Sequence, residues 1–155
     1  MTRRAREGEP RPPWWVGAAR FEVGALVEGH PLVVAARCRL GSMPSATHAL
    51  LDTGAQWSVV GGELAAELEQ EAEEEGREIV LHSRLGQVKG RICRLGVTLV
   101  AEEGADLLVQ ASLVISPEWP APPVLGYGGF LDRIRFGLDP GSSPADDRWI
   151  FFGCD

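Results

Sequence analysis

Apolar runs in this chain are short and keep breaking. "ARFEVGALVEG", "PLVVAARCRL" and "HALLD" follow one another, parted by Gly-His-Pro and Gly-Ser-Met-Pro. They are rich in Val, Leu and aromatics and too short for helices, and the Gly and Pro steps between them read as turns. The pattern resumes with "EIVLHS", then "QVKGRICRLGVTLV", where apolar positions alternate unevenly around Gly90, and then "ADLLVQASLVIS". "PEWPAPP" breaks that run, "VLG" follows, and "RFGLD" and "RWIFFG" form a closing pair of strands across "PGSSPADD". Many short strands of this kind predict a mostly β domain, a barrel or folded sheet.

Two segments depart from the strand pattern. In "GELAAELEQEAEEEG", Leu64, Ala65, Leu68 and Ala72 fall on one face at helical spacing with glutamates on the others, which predicts a helix stopping at Gly76. Acid at its C-terminal end opposes the macrodipole, so the last turn is expected to fray. "GGFLDRI" is a candidate short helix, with Phe130 and Leu131 expected in the core. The expectation is therefore one or two short helices in a β domain.

The chain of 155 residues suits one domain. Residues 1–13 are charged and Pro-rich and read as a disordered N-terminal arm, with a single domain over 14–155 beginning at Trp14 and Trp15. A net charge of -7 argues against nucleic acid or an anionic membrane surface as partner. The three cysteines, Cys38, Cys93 and Cys154, show no metal-binding or paired spacing, which suits reduced thiols. With no signal-like apolar stretch near the start and no run of membrane-spanning length, the expectation is a cytoplasmic protein.

The stretch that carries chemistry is "LLDTGAQWSVV", residues 50–60. An ionised Asp between apolar flanks is costly unless it is hydrogen-bonded, paired, or shares a proton. Read alone, Asp-Thr-Gly also fits a strand-end Asp capping a turn. Its context goes further: an apolar-apolar-Gly, Val124-Leu125-Gly126, precedes an apolar helix candidate, and a Gly-containing hairpin candidate, residues 83–91, lies between.

Together, "LLDTGAQWSVV", "SRLGQVKGRI" and "VLGYGGFLDRIRFGLDP" resemble the retropepsins, the single-domain aspartic proteases of retroviral type, and especially their bacterial relatives. The resemblance covers roughly residues 21–153. It implies a retropepsin-like closed β barrel in a homodimeric acid-protease architecture, an aspartic endopeptidase acting on a peptide or protein substrate, and no metal or organic cofactor. Such chemistry needs two carboxylates close enough to share one proton around a water. This chain offers one Asp-Thr-Gly, so the resemblance implies a two-fold homodimer.

Roles follow as the resemblance implies. Asp52 is the catalytic carboxylate, Thr53 bonds across the dyad axis, and Gly54 lets backbone approach carboxylate and substrate. Substrate-binding positions are Ala55, Gln56 and Trp57, then Leu85, Gly86 and Gln87 at the tip of a flap hairpin, and Val124 and Leu125. Ala55 carries no hydroxyl for the Asp52 carboxylate, so a less acidic pH optimum is expected than with Ser there. Where viral members place an Asp and an Arg that pair beneath the site, this chain has Gln56 and Tyr127, so both charges are absent together. Dimer closure is expected through a terminal strand, "RWIFFG". The rival expectation is a non-catalytic, retropepsin-like dimeric binding or scaffold domain.

Overall fold

The computed structural model describes residues 11–23, 34–143 and 147–154; side chains at 22 and 74–76 fall outside the description. The N-terminal residues of the expected arm, parts of the first two apolar runs and part of the "PGSSPADD" turn lie outside the described residues.

The chain runs through β1 (Gly17–Arg20), β2 (Glu22–Val23), β3 (Val34–Leu40) and β4 (Thr47–Val60) into α1 (Gly62–Leu68). Then come β5 (Glu73–Ser83), β6 (Gly86–Leu99), β7 (Glu103–Gly104), β8 (Leu107–Ile115) and β9 (Val124–Gly128). A 3-10 turn at Leu131–Arg133 leads to β10 (Arg135–Asp139) and β11 (Trp149–Gly153). The protein is mostly β, as its short runs predict. "GGFLDRI" yields only the single 3-10 turn, with Leu131 buried in it and Phe130 buried just before it.

The helix is half the length expected. α1 ends at Leu68, not at Gly76, and from Glu73 the backbone pairs with β6, Glu73 opposite Arg94. No basic residue stands in the last helical turn. Continued helix would stack Glu upon Glu at the negative end of the dipole, whereas the strand sets Glu73 across from a cation. Ala65 and Leu68 are buried, and Leu64 and Ala72 pack on the same core, so the apolar face was legible even though its extent was not.

Strands fall into two sheets. The larger runs in the order β2-β3-β4-β8-β6-β5, and β3 also pairs with β6, so the pairings β3–β4, β4–β8, β8–β6 and β6–β3 form a circuit. One main core fills it, with Leu40, Leu99, Leu113, Leu125, Phe130 and Phe152 among its buried side chains. Burying side chains of this size is worth about 1.5–3 kcal/mol each.

The smaller sheet has the order β10-β11-β1-β7 and joins the two ends of the chain. "RFGLD" and "RWIFFG" pair antiparallel as expected, from Arg135↔Gly153 to Asp139↔Trp149. β11 also pairs with β1 on its other side, so both edges of "RWIFFG" are used within one chain and neither is open to a partner. Trp15 meets Phe151 edge-on, with ring centroids 6.4 Å apart. Arg11, expected in the disordered arm, stacks over the Trp15 ring at 4.4 Å and bonds Glu103 at 2.6 Å. The cation–π contact and ion pair tie Arg11 to the Trp15 ring and to β7.

Candidate functional site

The Asp52 turn is built by one strand wrapping another. Leu50, Leu51 and Asp52 run parallel to β9, opposite Val124, Leu125 and Gly126. After an irregularity Trp57 faces Gly128 and Val59 faces Val124. A strand residue has two lateral neighbours, and Val124 has Leu50 on one side and Val59 on the other. β9 therefore lies between two legs of β4, and residues 53–56 carry the chain around it. The second leg pairs onward with β8, Ser58↔Leu113 to Val60↔Ile115, so the turn is braced by the larger sheet.

Close approach explains the glycines in "VLGYG". A Cβ on Gly126 would strike the Trp57 carbonyl oxygen and one on Gly128 the Gln56 carbonyl oxygen. The Gly126 N–H is buried and donates to Ser58 Oγ at 2.9 Å. Ser58 is fully buried. Sequence reading passed over it because a Ser before two valines looks like an ordinary strand residue; its only signal is a hydroxyl in a stretch that should be apolar.

Asp52, Thr53 and Gly54 are exposed. The apolar flanks suggested a carboxylate near burial, but the strand bends into the turn at this point and carries the Asp out of the core. Gly54 N–H donates to Asp52 Oδ1 at 2.9 Å, the turn-capping bond of an Asx motif. No other bond to the Asp52 carboxylate occurs among the described residues. One chain thus presents a single carboxylate, open to solvent, on a turn fixed by backbone on both sides.

The expected substrate positions divide. Gln56 is exposed and Ala55 half-buried. Tyr127, directly after the glycine opposite Asp52, is also exposed. Trp57 is half-buried against a small apolar cluster of Val59, Ile92 and Val114, shared with Ile79, Leu81 and Trp119. Val124 and Leu125, expected among the substrate-binding residues, are buried instead: β9 is covered laterally by both legs of β4, and Leu125 points into the main core.

The expected hairpin is present as β5 and β6, closing from Ser83 to Gly86 through Arg84 and Leu85. Gly86 has φ of 107°, a conformation that favours glycine. Ser83 Oγ donates to the Gly86 carbonyl and accepts from Leu85 N–H, both at 3.1 Å. Leu85, Gly86 and Gln87 are all exposed at this tip. His82 meets Gln87 across the strands at 3.2 Å, a polar pair and no more. The hairpin's inner positions Ile79, Leu81 and Ile92 share the apolar cluster with Trp57, which links the base of the hairpin to the strand carrying Asp52.

An open cavity of about 330 Å³ lies between that hairpin and the end of α1, lined by Glu69, Glu78, Val80, Lys89, Arg91 and Pro117 among others; no residue of the Asp52 turn lines it. Among the described residues no group of three His, Cys, Asp or Glu side chains is placed to hold a metal ion. Nor is any helix there long and apolar enough to cross a membrane. Compared with known proteins, the chain matches no protein-family model and no curated protein.

Proposed function

We propose that this chain is a retropepsin-like aspartic endopeptidase of the cytoplasm, a closed β barrel whose catalytic dyad forms across a homodimer, each subunit supplying Asp52. The observation that carries the reading is the wrapping of β4 around β9, which sets a solvent-facing Asp opposite Gly126 on a turn with little freedom to move. A general acid–base pair needs that rigidity, because proton transfer requires hydrogen-bond distances to be held.

In this reading two Asp52 carboxylates share one proton and hold a water. The ionised member takes a proton as the water oxygen attacks the peptide carbonyl carbon, and the protonated member donates to the carbonyl oxygen. The tetrahedral intermediate collapses when the amide nitrogen is protonated and the C–N bond breaks, returning the dyad to one proton. Thr53 bonds between the two turns, and the β5–β6 hairpin closes over an extended peptide bound as an added strand. Ala55, Gln56, Trp57 and the tip residues Leu85, Gly86 and Gln87 contact it; Val124 and Leu125 support the turn from below.

The test is cleavage of a mixed peptide library by the wild type and by Asp52→Asn, with sedimentation of both. Loss of about a thousandfold or more in rate, with association unchanged, supports the reading. Equal cleavage by the variant overturns it. Association without cleavage by either protein favours the binding-domain alternative, for which the paired absence of charge at Gln56 and Tyr127 speaks.

A further inference from the structure

The β5–β6 hairpin has two faces with different neighbours. On one, Ile79 and Leu81 pack with Trp57 and Trp119 on the small apolar cluster of Val59, Ile92 and Val114. Glu78, Val80 and His82 alternate with them and are exposed, so they belong to the opposite face. Across the pair on that back face, Arg91 stands opposite Glu78 and Lys89 opposite Val80. Glu69, just past α1, and Pro117, just past β8, add walls there, and the result is the open cavity of about 330 Å³.

Three observations meet at this cavity. The first is charge. Arg91 is answered by Glu69 at 3.4 Å and has Glu78 across the strands. Lys89 faces Val80 instead, and no carboxylate pairs with its ammonium among the described residues. Glu118 accepts the Lys89 backbone N–H, at 3.4 Å. The second is apolar surface: Val80 is 45% exposed beside Lys89, and Pro117 is exposed as well, although both line a concavity. The third is main chain. β5 is the outermost strand of the larger sheet and, among the described residues, pairs with β6 alone, so its other edge keeps unpaired N–H and C=O groups there.

We propose that this cavity binds the C-terminal end of an extended peptide whose last residue is apolar. The peptide adds to the outer edge of β5, and its last residue pairs with Val80. A residue paired across that edge points to the same face as Val80, so its side chain covers Val80 and Pro117. Lys89 lies on the other side of Val80, and its four-carbon stem is long enough to cross it and meet the terminal carboxylate. An uncharged internal segment supplies no carboxylate for Lys89, and a small free acid makes no use of the strand edge. No residue of the Asp52 turn lines the cavity, so the site is separate from the candidate catalytic turn and does not rest on the endopeptidase reading.

The test uses the Asp52→Asn protein, so that binding is measured on intact peptide whether or not the chain is a peptidase. The probe is an acetylated hexapeptide of alternating Thr and Val ending in Leu, titrated by calorimetry as the free acid and as its amide. The free acid is expected to bind about tenfold or more tightly, because the amide loses the charge-assisted bond to Lys89. Lys89→Gln is expected to erase that difference and Lys89→Arg to keep it, while Val80→Asp weakens the free acid by a similar factor. Both positions are exposed, and thermal melts confirm that the variants fold. Amide shifts on binding are expected at residues 78–80 and 89–91. Equal binding of acid and amide, a difference that survives Lys89→Gln, or Val80→Asp binding unchanged would each overturn the proposal. So would N-acetyl-leucine binding as tightly as the hexapeptide, shifts confined to residues 52–57 and 85–87, or no binding at millimolar peptide.

Discussion

The N–H of Gly126 donates to the hydroxyl of Ser58 at 2.9 Å, across 68 positions of sequence and inside the protein. This bond pins β9 to the second leg of β4 directly behind Asp52. Ser58→Ala leaves the Gly126 N–H buried without a partner and is expected to cost about 1–3 kcal/mol. Urea denaturation measures it; an unchanged midpoint would show that the bond contributes nothing net.

Gly126→Ala tests the same crossing by crowding. A methyl there meets the Trp57 carbonyl oxygen, an atom of backbone that cannot swing aside. About 1–3 kcal/mol of destabilisation is expected, with the Asp52 turn displaced. The same substitution at exposed Gly62 lacks the clash but strains a φ of 59°, so its cost comes from backbone conformation alone. Thermal melts of the two variants, with the peptide-cleavage assay, distinguish a displaced site from a merely less stable protein.

Asp106 sets a pH dependence remote from the site. Its carboxyl is held below the ordinary value by the Ala101 N–H first and then by Arg39, whose guanidinium lies 2.7 Å away. A depressed carboxyl contributes stability above its unfolded pKa, about 3.9, and that contribution is lost as pH falls through the lower folded value. Asp106→Asn is therefore expected to be less stable than wild type at pH 7, the gap narrowing below about pH 4. The side chain is 39% exposed, so the gap is small, about 0.5–1 kcal/mol. Equal stability at pH 7 contradicts this assignment.

The thiols should separate by burial. Cys38 is fully buried, its thiol pushed up to about 12 by burial, and Cys93 is buried as well; Cys154 is exposed. A thiol reagent at neutral pH is expected to label Cys154 in the folded protein and to reach the other two only on unfolding. Fast labelling of Cys38 would show that β3 opens readily.

Strand positions were legible in the sequence because the apolar runs are short and Gly and Pro bound them; the hairpin at Gly86, the closing pair β10–β11 and the buried Phe130 and Leu131 all follow from local pattern. What local pattern could not supply is what each strand has beside it. Residues 73–76 look helical alone and become a strand because β6 offers Arg94 opposite Glu73. Asp52 looks enclosed by its leucine flanks and is exposed because β4 turns there around β9, a strand far along the chain. Ser58 matters only once Gly126 is known to face it. The residues of the candidate site could be named from the sequence, while their burial depended on pairing at long range.

The central claim is that catalysis needs two copies of Asp52, one from each subunit. The most direct measurement mixes wild type with Asp52→Asn at fixed total concentration, allows subunits to exchange, and follows peptide cleavage as the fraction of wild type falls. If both subunits supply the dyad, activity falls as the square of that fraction, to about a quarter in an equal mixture. A linear fall, to half, would mean that a single Asp52 suffices and would contradict the shared dyad.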